Sequence, residues 1–222
     1  MGINLKTAVS VLVTLSVFSL SGPLVHAAAI HDAGLFTDST LARNDDGSTG
    51  LVSMGFSANF YGTTYSQLYV NNNGNVTFTG PLGTFTPFNL LSTAIPIIAP
   101  FFGDVDTRNL ASGVTQYGTD TIGGHNVFGV NWIDVGYFSS QANLLNSFQL
   151  IMTDRSDIGS GDFDFEFNHD KIQWETGSAS GGTGGLGGNS ARAGWSNGST
   201  TSFEIAGSAV NGALLDTNLT TG

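Results

Sequence analysis

Beyond residue 28, no stretch of this chain keeps apolar residues at i, i+3, i+4 and i+7 over several turns, so it has no long amphipathic helix to build with. What recurs instead is apolar–polar alternation in short runs bounded by Gly, Asn, Asp and Pro. The runs are "GFSANFYG", "QLYV", "NVTF", "HNVFGVNWIDV", "SFQLIMTD", "DFDFEFN", "KIQW" and "TSFEIAG". Successive side chains of a strand point to opposite faces, so each run offers one face to bury and one to solvate. Eight such runs call for two sheets that cover each other. The predicted fold is all-β, an antiparallel β-sandwich-like single domain with long Gly/Asn-rich loops. A composition with 31 Gly, 16 Phe and only 10% charged residues suits many tight turns around an aromatic core.

Parity fixes the register of "LYVNNNGNVTF", residues 68–78. A two-residue Asn73-Gly74 turn would pair Val70 with Thr77 and scatter the apolar residues over both faces. A three-residue loop, Asn72-Asn73-Gly74, pairs Val70 with Val76 and Leu68 with Phe78, and gathers all four on one face. It also puts Gly74 at the left-handed position of a type I turn with a G1 bulge. The asparagines read as turn chemistry before they read as oxygen ligands. On this reading Gly74→Ala costs roughly 1 kcal/mol or more, and Asn72→Ala costs less.

In "DFDFEFNHDKIQW" the rings of Phe163, Phe165 and Phe167 point one way, and Asp162, Asp164 and Glu166 point the other, as a solvated acidic face. A turn centred on His169-Asp170 is expected to continue the aromatic face, pairing Phe167 with Ile172 and Phe165 with Trp174. Pro81, Pro87, Pro96 and Pro100 fall within residues 81–100, which predicts a crossing segment followed by an edge strand. "GSASGGTGGLGG", residues 177–188, is expected to be a flexible loop, too rich in glycine to pack.

The N-terminus has Lys6, an apolar run and then small residues in "HAAA", the pattern of a secretory signal peptide over residues 1–27 with cleavage near Ala27 or Ala28. A membrane anchor is disfavoured because the apolar run is short and no stop-transfer sequence follows it. Residues 28–50 form an N-terminal segment and residues 51–222 the β domain. Losing Lys6 with the leader reduces six basic residues to five against 17 acidic ones, a net −12. Such a surface repels nucleic acid and anionic lipid. The chain has no cysteine, which excludes thiol catalysis and thiolate metal sites, and leaves an exported domain to rely on its core.

Two catalytic patterns occur out of context. Gly182-Thr183-Gly184-Gly185-Leu186-Gly187 has the letters of a dinucleotide fingerprint without a following helix or a βαβ unit. Gly194-Trp195-Ser196-Asn197-Gly198 has the letters of a hydrolase elbow, but every histidine precedes it. A glycosidase needs two carboxylates facing each other across a cleft, and no pair identifies itself. Asp104 and Asp106 in "FFGDVDTR" are the candidate metal ligands, since carboxylates at i and i+2 of a strand share a face. The preferred alternative is that they anchor Arg108 in a structural ion-pair element.

"LYVNNNGNVTF", "IIAPFFGDVDTR", "FGVNWIDVGYF", "NSFQLIMTDRSDIGSGDFDFEFNHDKIQWETG" and "ARAGWSNG" occur together in the order and spacing of one family. From about Leu51 to about Asp216 the chain resembles the NIDO domain, the extracellular domain of nidogen also found in alpha-tectorin and mucin-type surface proteins. It is similar in particular to secreted bacterial members. The resemblance implies a secreted or cell-surface protein, cell–matrix adhesion, a matrix or cell-surface protein or glycan as partner, and no membrane insertion of the mature chain. It implies no enzyme and no catalytic residue. Asp104, Asp106 and Arg108 match the family's Asp-x-Asp-x-Arg element. The family pattern continues past "ALLDTNLTTG", so a closing C-terminal strand is expected to be missing here. The alternative function is a calcium-assisted carbohydrate-binding module, with Tyr137-Phe138 and Trp195 as candidate aromatic platforms.

Overall fold

The computed structural model describes residues 30–216, so the expected signal peptide and cleavage site lie outside the described residues. Eleven strands run in chain order: β1 (Ser39–Thr40), β2 (Val52–Phe60), β3 (Thr63–Asn71), β4 (Asn75–Thr77), β5 (Pro96–Phe102), β6 (Thr115–Ile122), β7 (His125–Tyr137), β8 (Gln141–Asp154), β9 (Phe163–Lys171), β10 (Arg192–Asn197) and β11 (Ser202–Glu204). They form two antiparallel sheets, one ordered β1-β6-β7-β8-β9 and the other β11-β10-β5-β4-β3-β2. The sheets pack as a sandwich. Val70, Val76, Ile98 and Phe101 of one meet Val130, Trp132, Phe148 and Leu150 of the other, all fully buried.

The turn after β3 has the register that parity requires. Val70 lies opposite Val76 and Asn71 opposite Asn75, and Gly74 has a φ of +74°. Leu68 and Phe78 are buried in the same core.

β5 departs from the expected edge position. It lies inside its sheet between β4 and β10, and every residue of "PIIAPFF" is buried. Residues 81–95 cross its outer face, where Leu82 and Leu90 cover Ile97, Ala99 and Phe102. Both faces are therefore apolar, which is why the strand reads as a continuous run rather than an alternation. The prolines are tolerated locally. Pro96 opens the strand, and Pro100 sits in a bulge, where Ala99 to Phe102 oppose only Gly194 to Arg192.

The proposed hairpin at His169-Asp170 does not form. β9 runs through both residues to Lys171, with Phe167 opposite Leu150 and Phe165 opposite Met152 on β8. The reversal comes earlier, at residues 155–162, where Gly161 takes a φ of +84° and Arg155 N–H bonds the Asp162 carbonyl at 2.9 Å. His169 is held instead by a 2.8 Å bond between its Nε2 and the Pro100 carbonyl. "KIQW" then leaves the sheet and buries Ile172 and Trp174 in the core.

The glycine-rich segment is packed, contrary to the sequence expectation. Glu175 and Thr176 N–H groups both bond the Gly185 carbonyl, and Thr183 pairs with Leu186. A Cβ on Gly185 would stand 2.9 Å from that of Trp174. Here glycine permits close approach, not mobility. Residues 30–50 are also integral to the domain. β1 extends the five-stranded sheet, and buried Phe36 packs with Val127 and Ile151 on that sheet's outer face. Among the described residues, no helix is long and apolar enough to cross a membrane.

Candidate functional site

The end of the sandwich carrying the β3–β4 turn gathers a run of buried polar side chains. Asn71, Asn72, Asn73 and Asn75 are all buried, which makes them structural connectors rather than exposed turn residues. Asn72 Nδ2 donates to the carbonyls of Asp45 and Val105, each at 2.6 Å. Trp132 Nε1 donates to the Asn72 carbonyl at 3.1 Å. Asn71 Oδ1 accepts from Ser48 Oγ and from Leu82 N–H. The turn thus ties the N-terminal segment, the crossing segment and both sheets to one point.

The chain leaving β5 passes this point at Asp104, Asp106 and Arg108, which lie beyond the strand. The two carboxylates therefore do not share a strand face. Asp106 is fully buried and saturated with donors: Arg108 Nε at 2.9 Å, Arg108 Nη2 at 2.5 Å, Arg108 N–H at 2.9 Å and Ser140 N–H at 2.7 Å. Burial pushes its pKa up, but the side-chain and backbone bonds from Arg108 and the bond from Ser140 outweigh this and hold it below the usual carboxylate value. The Arg108 guanidinium also reaches Asp45 Oδ2 at 3.0 Å and stands over the Phe138 ring.

Asp104 turns the other way. It is 1% exposed, and neither of its carboxylate oxygens has a hydrogen-bond partner. Burial, followed by the negative charges of Asp45, Asp46 and Asp106, pushes its pKa up to about 7. Asp45 is pushed up to about 6, again by burial first and then by Asp106 and Asp46. One carboxylate oxygen from each of Asp45, Asp46 and Asp104 lies within 4.8 Å of the other two. Asn73 Nδ2 bonds Asp46 Oδ1 at 2.9 Å, which fixes the amide against this cluster. Its Oδ1 is buried without a partner.

Of the sequence candidates, then, Asp104 belongs to the acidic cluster, Asp106 and Arg108 form an ion pair beside it, and Gly74 shapes the turn that carries Asn73. Asp45 and Asp46 were not foreseen. Their only signal is the turn "NDDG", where Gly47 N–H bonds Asn44 Oδ1 at 2.6 Å, and nothing in the sequence joins it to a carboxylate nearly sixty positions later.

The aromatic candidates also separate. Tyr137 is buried in the core. Trp195 stacks on the exposed ring of Tyr61, with centroids 4.8 Å apart and planes 16° from parallel. The adjoining groove of about 470 Å³ is lined by Asn59, Tyr61, Arg155, Ile158, Asp162 and Phe163, among others. Tyr61 precedes β3 and Asn73 follows it, whereas Trp195 lies opposite Ile98, which in turn pairs with Val76.

A family model described as NIDO related matches residues 30–217. Alpha-tectorin of Mus musculus is 32% identical over 190 residues, covering 75% of this chain and 9% of its own length. Alpha-tectorin of Homo sapiens is 31% identical over the same shares. Nidogen of Drosophila melanogaster is 28% identical over 136 residues, covering 50% of this chain and 10% of its own length. The chain therefore spans about a tenth of these relatives. No solved structure matches it.

Proposed function

The chain belongs to the NIDO-related family, and on that premise we propose that it is an exported, non-catalytic interaction module of the extracellular-matrix type. Its partner is a matrix or cell-surface protein or glycan, and its role is adhesion. The observation that carries this reading is the extent of the family match, which takes in every described strand of both sheets. The site chemistry is consistent with it. Asp106 is occupied by Arg108 and Ser140, and Asp104 is buried, so this pair is not arranged across an open cleft as glycoside hydrolysis needs.

The carbohydrate-binding alternative draws support from the Tyr61–Trp195 stack, since aromatic faces suit sugar rings. The groove beside that stack is lined by none of Asp45, Asp46 and Asp104, which argues against a metal of that cluster touching the glycan. The export step belongs to the same proposal, as does kinship with secreted bacterial members. N-terminal sequencing of secreted protein should begin near Ala28, and an intact Met1 would overturn it. The partner is tested by screening the purified protein against immobilised matrix proteins and a glycan array, with and without calcium. Saturable binding to a matrix protein supports the reading. Binding to glycans alone, lost in Tyr61→Ala, would favour the alternative.

A further inference from the structure

We propose that Asp45, Asp46 and Asp104, joined by the side-chain oxygen of Asn73, form a calcium site that clasps the N-terminal segment to the six-stranded sheet. Three elements meet there: the loop before β2, the β3–β4 turn and the chain leaving β5. The three carboxylate oxygens lie within 4.8 Å of one another. Calcium binds oxygen at roughly 2.3–2.6 Å, so ligands on opposite sides of one ion stand about 5 Å apart. The spacing fits a single ion.

The second observation is what the buried atoms lack. Asp45 Oδ1, both oxygens of Asp104 and Asn73 Oδ1 are buried without partners. All four are acceptors, so the corner lacks positive charge or donors and has no need of further acceptors. Buried polar groups in this state are costly unless something satisfies them. Asn73 is not an acid, is 1% exposed and is pinned to Asp46 through its other amide atom, so its oxygen is an independent pointer to a ligand.

Charge points the same way. Arg108 is the only cation paired with Asp45, Asp46, Asp104 or Asp106 among the described residues, so one positive charge faces four carboxyl groups. The donors are all hard oxygens, with no thiol in the chain and no imidazole in the cluster, a set that suits calcium rather than zinc or copper. An irregular cluster drawn from three loops also suits calcium's flexible coordination better than magnesium's strict octahedron. Opposite the site, a Cβ on Gly177 would stand 2.3 Å from Asp104 Oδ2, so only glycine leaves room for the carboxylate in this position.

The test is thermal unfolding and calorimetric titration of the full chain with calcium chloride, against EDTA and against magnesium chloride. Calcium is expected to bind once per chain and to raise the melting temperature by several degrees, with magnesium far weaker. Asp104→Asn should lower calcium affinity at least tenfold. In EDTA it should be as stable as the parent or more so, because it removes a buried unpaired charge, and that result separates ligand loss from misfolding. Arg108→Gln should bind calcium more tightly, since it deletes a competing cation. No heat and no shift at 10 mM calcium would overturn the site. So would an unchanged calcium response in Asp104→Asn, or a magnesium shift equal to that of calcium.

Discussion

Gly74→Ala tests the turn on which this end of the molecule depends. At a φ of +74° an alanine meets left-handed strain of about 1 kcal/mol or a little more. The larger effect is collision. The new Cβ would stand 1.8 Å from the Phe101 carbonyl oxygen, 2.9 Å from its carbon and 3.2 Å from Phe148 Cζ. The Phe101 backbone has little room to retreat, because its N–H bonds the Gly74 carbonyl at 3.3 Å and its ring is packed against Phe148 and Trp174. Overpacking of this kind adds about 1–3 kcal/mol. The total is about 2–4 kcal/mol, or on the order of 10 °C in melting temperature for a domain of this size. Gly62 is the control. It has a φ of +96° with nothing within 4 Å of an added Cβ, so Gly62→Ala should show the strain alone, about 1 kcal/mol. The assay is urea unfolding of both variants in EDTA, with m-values compared. Costs that agree within about 0.5 kcal/mol would refute the collision argument. An unchanged midpoint for Gly74→Ala would refute the register as well. Asn72→Ala, expected from sequence to be the cheaper change, should instead rival Gly74→Ala, because it strands the carbonyls of Asp45 and Val105.

Asp106→Ala should destabilise more than Arg108→Ala, since it orphans the Ser140 and Arg108 N–H groups while the half-exposed guanidinium rehydrates. The double variant should cost less than the two singles together, and additivity in a denaturation cycle would refute a coupled pair. His169 supplies a pH dependence. Burial depresses its pKa more than the Pro100 bond and the Asp216 charge raise it, so the unfolded state binds the extra proton, and stability falls as pH drops below the ordinary histidine value. Asp104 and Asp45, whose pKa values are raised, act oppositely, adding stability as pH falls. The measurement is therefore the difference between the parent and His169→Gln from pH 7 to 5. The variant should lose less stability than the parent on acidification, and parallel curves would refute the assignment.

Where one face of a strand is buried and the other solvated, alternation was legible, as in β2 and β9. The β3–β4 register followed from four apolar residues and one glycine. β5 misled because its outer face is covered by Leu82 and Leu90, so it reads as a run in which the prolines suggest an edge. β6, "TQYGTDTI", carries too few apolar residues to signal a strand. The "KIQW" alternation was real but served to bury Ile172 and Trp174 off the sheet. At the candidate site Asp104 is visible in the sequence, but strand parity ties it to Asp106, and both residues lie past the end of β5, where parity no longer holds. Asp45, Asp46 and Asn73 reach the site through tertiary folding alone, which no local pattern encodes.

The covering of the five-stranded sheet by residues 30–50 has a consequence for how the chain is made. These residues are synthesised well before the partners on which they dock. Thr119 N–H donates to Asp38 at a separation of 81 positions, Asn131 to the Leu35 carbonyl at 96, and Gln149 to the His31 carbonyl at 118. Contacts of such range close slowly, so the segment is expected to dock after β7 and β8 have paired. Until it docks, the groove over Gly129, where the Phe36 ring sits too close to allow even a Cβ, stands open between Val127 and Ile151. A recombinant fragment begun at residue 51, where sequence alone would place the domain boundary, would carry that groove permanently uncovered and offer it to neighbouring chains as a point of self-association.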